Sequence, residues 1–266
     1  MAEQSNSPDV GRLERALGRT GAPRGTRRWL LERAAVGTAG VAAGAGIAPA
    51  GALAAGQHHG HWGGENRAIR EFGTVAVTTE ALTVTLLTEL LRRVSVNTGV
   101  PAGVTAVFEG AYAAEVDHFR FTKAHWRPTT TKFWIPDGFF GGPGNALDLT
   151  AVGNALVAGE TLFINLYLIG VTDFAEAGMA TFARYAAELA GCESEHRVLA
   201  ETLLNATPPN NVGFEAYSIH RPAGIEQALE QVGVGFGVQG SAAGAFYQLA
   251  RPPMTPPLPI NSNYPS

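Results

Sequence analysis

Two short stretches decide the fold of this chain: Glu115-Val116-Asp117-His118, inside AAEVDHF (113–119), and Glu193-Ser194-Glu195-His196, inside CESEHRVLAETLL (192–204). On a helix, residues three apart lie on one face about a turn from each other, so each Glu-x-x-His pair aims a carboxylate and an imidazole at the same point. Working outward, a single Glu80 stands 35 residues before the first pair, and a single Glu160 stands 33 before the second. Each gap suits a helical hairpin. Four carboxylates gathered in one apolar core would repel one another and resist desolvation, whereas two divalent cations neutralise them and take the imidazoles as nitrogen ligands.

One Glu-x-x-His alone is a weak signal in a chain with 18 Glu and 7 His, so the weight rests on order and helical face. Val77, Glu80, Val84, Leu87 and Leu91 follow the three-four spacing of a core stripe. Val104, Phe108, Ala111, Glu115, His118 and Thr122 form a second row. Leu149, Val152, Leu156, Glu160, Phe163 and Tyr167 form a third, and Leu189, Glu193, His196, Ala200 and Leu203 a fourth. In every row an acid or imidazole interrupts a seam where a plain core would carry Leu or Ala. Glu89, half a rotation from Glu80 and in the company of Thr85, Thr88 and Arg92, reads as solvated.

The order Glu, Glu-x-x-His, Glu, Glu-x-x-His resembles that of the ferritin-like dimetal-carboxylate bundles. The strings TTEALTVTLLTELL (78–91), AAEVDHF, AGETLFINLYL (158–168) and CESEHRVLAETLL are similar to the exported ferritin-like domain proteins of bacteria, a group often labelled desiccation-related. The resemblance covers residues 66–206. It implies an all-α, ferritin-like antiparallel four-helix bundle with a long crossover between helices 2 and 3. It further implies two divalent metal ions, iron ahead of manganese, with Glu115 and Glu193 bridging them, Glu80 and Glu160 holding one each, and His118 and His196 giving one nitrogen each. The implied chemistry is oxidation of Fe(II) or reduction of dioxygen or peroxide. A manganese catalase-like peroxide disproportionation, and a non-catalytic stress protein with a structural metal site, stay open beside it.

The connections agree with hairpins. Gly99-Val100-Pro101 makes a short link with Pro at a helix start, and Gly170-Val171-Thr172-Asp173 reads as the link between helices 3 and 4. Residues 125–146 carry three Pro and a set of aromatics (Trp126, Phe133, Trp134, Phe139, Phe140) that must pack over the bundle or against a partner. Residues 207–266 form a C-terminal extension, with a short helix expected over Gly224 to Val232, weakly continued through the Gly/Ala-rich run to Phe246, and an extended Pro-rich tail from Pro252. His220 reads as a surface or rim residue.

Residues 1–55 read as a leader. Arg27-Arg28-Trp29-Leu30-Leu31, a weakly apolar Ala/Gly-rich stretch and small-x-small sites near Ala50 to Ala54 form a twin-arginine-like export signal, which places the mature protein in the periplasm, cell envelope or medium. The stretch is too rich in Gly, with Pro49, to make a stable transmembrane span. The whole chain has a net charge of −4; removal of the leader near residue 54 leaves 12 basic and 19 acidic residues, a net of −7. Nothing in this balance, and no basic stripe, fits nucleic acid. Cys192 is the only cysteine, so no internal disulfide forms; it reads as a small core residue beside Glu193, with a redox thiol the sharper alternative. The tract His58-His59-Gly60-His61 reads as a solvated segment able to hold a stray ion. A homo-oligomer is compatible with the sequence.

Overall fold

Apolar seams at helical spacing become helices here. The structure, a computed structural model, describes residues 67–210 and 212–250. The stretch read from the sequence as an export signal, the His58–His61 tract and the Pro-rich segment from Pro252 lie outside the described residues.

The described chain is mostly helical. Its elements are α1 (Arg67–Val96), α2 (Ala102–His125), β1 (Lys132–Pro136), a 3-10 turn (Asp137–Phe139), α3 (Leu149–Glu176), α4 (Ala180–Leu203), α5 (Pro222–Gln231), β2 (Gly235–Phe236) and β3 (Gly244–Gln248). Helix α2 starts just after Pro101, and α3 is capped by Asp148, whose carboxylate accepts from the amides of Thr150 and Ala151. Packing runs α1 to α2, α3 to α4, α1 to α3 and α2 to α4. The buried seams include Val77, Val84 and Leu87 of α1, Phe108, Val116 and Phe119 of α2, and Leu166 and Tyr167 of α3.

Helix α1 is buried on almost every side, and this corrects the reading of Glu89. That residue is 7% exposed, and its carboxylate pairs with Arg92 at 2.7 Å and with the fully buried Arg93 at 2.8 Å. Arg93 also donates to the carbonyls of Gly142 and Ala146 and lies 4.0 Å over the Phe140 ring. The α2–α3 connection therefore lies on the face of α1 that looks polar. Thr78, Thr79, Thr83 and Thr85 of α1 bond their hydroxyls back to carbonyls one turn earlier, so their polarity is satisfied within the helix and they can be buried.

Two further expectations are corrected. Helix α3 runs through Gly170–Asp173 to Glu176, and the chain turns at Ala177–Met179, where Gly178 takes φ 72°. Gly170 is a close-approach residue: a Cβ there would stand 2.5 Å from the ring of Phe72. The run from Gly235 to Gln248 is not helical but supplies β2 and β3, which flank β1 antiparallel in the order β2-β1-β3. Pairing with β1 satisfies backbone groups of a segment whose Gly residues give little helix propensity. Phe133, Ile135 and Phe140 of the connection are buried as a result, and α5 packs on α1 and α3. His220 is exposed, as expected, with its ring 4.6 Å from that of Tyr217.

By length and composition α1 and α3 could each cross a membrane, yet 78% and 44% of the respective apolar windows are buried within this fold. Each also carries a buried glutamate, Glu80 and Glu160.

Candidate metal centre

The seams that bury α1 to α4 carry their acids and imidazoles to one place. Glu80, Glu115, His118, Glu160, Glu193 and His196 are all buried, none more than 9% exposed. Ligand-type atoms of Glu80, Glu115, His118 and Glu193 lie within 4.8 Å of one another, and so do those of Glu115, Glu160, Glu193 and His196. Glu115 and Glu193 belong to both groups. All six residues singled out from the sequence are thus brought together.

Both imidazoles turn Nδ1 inward. His118 Nδ1 stands 3.2 Å from Glu193, 3.5 Å from Glu115 and 4.0 Å from Glu80. His196 Nδ1 stands 2.8 Å from Glu115 and 3.3 Å from Glu193. These are short ion-pair distances without aligned hydrogen bonds for most of the atoms. Glu80 Oε2, both oxygens of Glu115, Glu160 Oε2, Glu193 Oε1 and His118 Nδ1 are buried with no hydrogen-bond partner. Buried polar atoms are ordinarily satisfied, and six unsatisfied ones on the residues of these two overlapping groups fit a site able to hold a charged occupant.

The electrostatics agree. Burial, reinforced by Glu115, pushes the Glu80 carboxyl well above its ordinary 4.5. Burial, reinforced by Glu193, does the same to Glu160. At Glu115 burial also pushes upward, but His118 and His196 outweigh it and hold the carboxyl well below its ordinary value. Burial pulls both imidazoles downward, and their contacts with Cys192, Glu115 and Glu193 overcome it, leaving both well above 6.5. Protons on Glu80, Glu160 and the imidazoles thus carry the positive charge that this acid-rich core demands. A divalent cation supplies the same charge in one particle. Carboxylate oxygens with one imidazole per group form a donor set that can hold a divalent metal ion.

Two neighbours complete the site. Tyr167, which in the sequence is one member of an apolar row, donates its hydroxyl to Glu80 Oε1. The signal was present: a tyrosine two turns after Glu160 in a buried seam requires a partner for its hydroxyl. Cys192 is half-buried, with Sγ 3.8 Å from Nε2 of His196, the ring nitrogen turned away from the carboxylates. Burial raises the thiol and the two imidazoles outweigh it, lowering it from its ordinary value. Comparison of the chain with protein-family models, with curated proteins and with solved structures finds no match.

Proposed function

We propose that this chain is an exported, ferritin-like protein whose antiparallel four-helix bundle, with α2 crossing to α3 through the β1 segment, holds two metal ions and oxidises Fe(II) with dioxygen or peroxide. The observation that carries the reading is the convergence of four glutamates and two histidines with six buried polar atoms left unsatisfied. Membership of Glu115 and Glu193 in both groups suits a bridging role for each, with Glu80 and His118 completing one ion's set and Glu160 and His196 the other's. When bound, the metal pair supplies one-electron exchange to an oxidant.

The chain's own residues do the rest. Glu115 and Glu193, which belong to both groups, would each offer carboxylate oxygens to either ion. The inward Nδ1 atoms must be free of protons to act as donors, so loading expels protons from the imidazoles and from Glu80 and Glu160. Tyr167 holds one Glu80 oxygen in place and leaves the other free.

The test is elemental analysis of protein purified from its own host, followed by oxygen uptake on adding Fe(II) to metal-free protein. Two metal ions per chain and uptake well above buffer are expected. Peroxide disproportionation without added reductant would point instead to the catalase-like activity, and tight metal without turnover to a structural site. Export has its own test: Arg27→Lys with Arg28→Lys should trap full-length precursor inside the cell, and normal appearance of mature protein outside would remove the twin-arginine reading.

A further inference from the structure

Cys192 precedes His196 by four residues on α4, so its side chain stands one turn away on the same helical face. The His196 ring is therefore engaged at both ends. Its Nδ1 points among the carboxylates, 2.8 Å from Glu115 and 3.3 Å from Glu193, and its Nε2 faces the sulfur at 3.8 Å. Among the described residues no other side chain bonds that outer nitrogen. The inner end lies among atoms that lack partners of their own, both oxygens of Glu115 and Oε1 of Glu193. The same thiol reaches His118, so one sulfur touches both candidate imidazoles.

We infer that Cys192 is a positioning residue of the metal centre: its sulfur accepts the outer N–H of His196 and so fixes Nδ1 as the nitrogen that faces the ions. The inference rests on the metal-binding part of the reading above. A neutral imidazole carries one proton, and the hydrogen bond made at one ring nitrogen decides which of the two is left free to ligate. Without a partner for Nε2 the ring can turn or exchange its proton between the nitrogens, and the donor is no longer held at the carboxylates. A ligating histidine usually has a carboxylate or a backbone carbonyl in this place. Sulfur is a weaker acceptor, but it suits the charge of this core. Four carboxylates already surround the centre, and two divalent ions match their charge. A fifth carboxylate behind the ring would bury a negative charge with nothing to neutralise it. A thiol orients the ring and adds none.

The test uses the full chain loaded with Co(II), whose ligating histidines give strongly shifted ring N–H signals in proton NMR. Wild type and Cys192→Ser, which keeps an acceptor, should show an Nε2–H signal that exchanges slowly with water; in Cys192→Ala one such signal should be broadened or lost. Co(II) affinity, measured against a chelator, should fall roughly 10- to 100-fold in Cys192→Ala and in Cys192→Val, and Cys192→Ser should restore most of it. Valine fills the space of the thiol without accepting, so affinity recovered by Val as fully as by Ser would assign Cys192 to packing and overturn the inference. Should Cys192→Ala fail to fold, Cys192→Val alone is held to both readings. A cobalt–thiolate charge-transfer band in the near ultraviolet would make the sulfur a ligand, and equal affinity in all four proteins would make it a bystander; either result overturns the inference and leaves the metal-binding reading in place. A wild type that binds no Co(II) removes both.

Discussion

Tyr167 and Cys192 touch the candidate ligands from outside the set of six, and they differ in how firmly they do so. The tyrosine is buried, and burial together with Glu80 pushes its hydroxyl well above 10.0, so it stays a donor at any working pH. Tyr167→Phe should weaken metal binding about 10- to 100-fold, the usual effect of removing a hydrogen bond that orients a ligand. Competition with a chelator of known affinity measures it, and unchanged affinity would show that Glu80 needs no orienting partner. The histidines admit a sharper test. His118→Ala with His196→Ala removes the only imidazole from each group, and bound metal should fall from two ions towards none. Two tightly held ions in that double variant would refute the assignment. These six residues were legible in the sequence because a helix converts spacing of three into a shared face, whatever surrounds it. That Tyr167 needs a partner was legible as well, but not that the partner is Glu80, 87 residues away.

At the scale of elements, α1 shows where face-reading fails. Thr85, Thr88, Glu89 and Arg92 form a polar stripe, and a polar stripe ordinarily faces water. Here the α2–α3 connection covers part of it. Arg93 reaches across to Gly142, Ala146 and the hydroxyl of Tyr247, and Glu89 is the counter-charge that makes its burial tolerable. Burial pushes the Glu89 carboxyl up, but the two arginines outweigh it and hold it below its ordinary value. Glu89→Ala should therefore leave the metal content unchanged while destabilising the fold by about 3–5 kcal/mol, because the Arg93 guanidinium is left buried without its carboxylate. Urea unfolding with metal analysis on the same sample checks both halves. A variant as stable as wild type would mean that the connection, not the ion pair, holds this region.

For the whole molecule the question is whether metal bound at this centre would hold the fold together. A ligand that binds only the folded chain adds RT ln(1 + [L]/Kd), about 4 kcal/mol at a thousandfold excess over Kd. That corresponds to a rise in Tm of about 10 °C for a protein of this size. The metal-free protein should show the opposite pH trend to most proteins. Glu80 and Glu160 are raised in the folded state, so their protons stabilise it fully below 4.5 and that contribution is lost as pH rises through the raised values. His118 and His196 act in the same sense, with full effect below 6.5 and loss above. Glu115 alone acts oppositely, losing its contribution as pH falls through its depressed value. Four groups outweigh one. Metal-free protein should melt higher near pH 5 than near pH 8, whereas metal-loaded protein should lose stability towards pH 5 as protons displace the ions. Calorimetry of both forms across that range gives the answer, and superimposable melting curves at neutral pH would count against a buried four-carboxylate site.

The sequence by itself determined the four long helices, their seams, and the convergence of Glu80, Glu115, His118, Glu160, Glu193 and His196, because these follow from local periodicity that each helix carries within itself. Tertiary structure alone decided the rest. Gly170 looks like a helix stop until Phe72 of α1 is seen against it, and the run from Gly235 to Gln248 becomes strands only because β1, about a hundred residues earlier, offers its backbone. Glu89 is buried in an ion pair with Arg93, whose guanidinium is held by a connection that starts 37 residues after Glu89. In each case the deciding partner is distant in the chain, and no local pattern records which face a distant segment will cover.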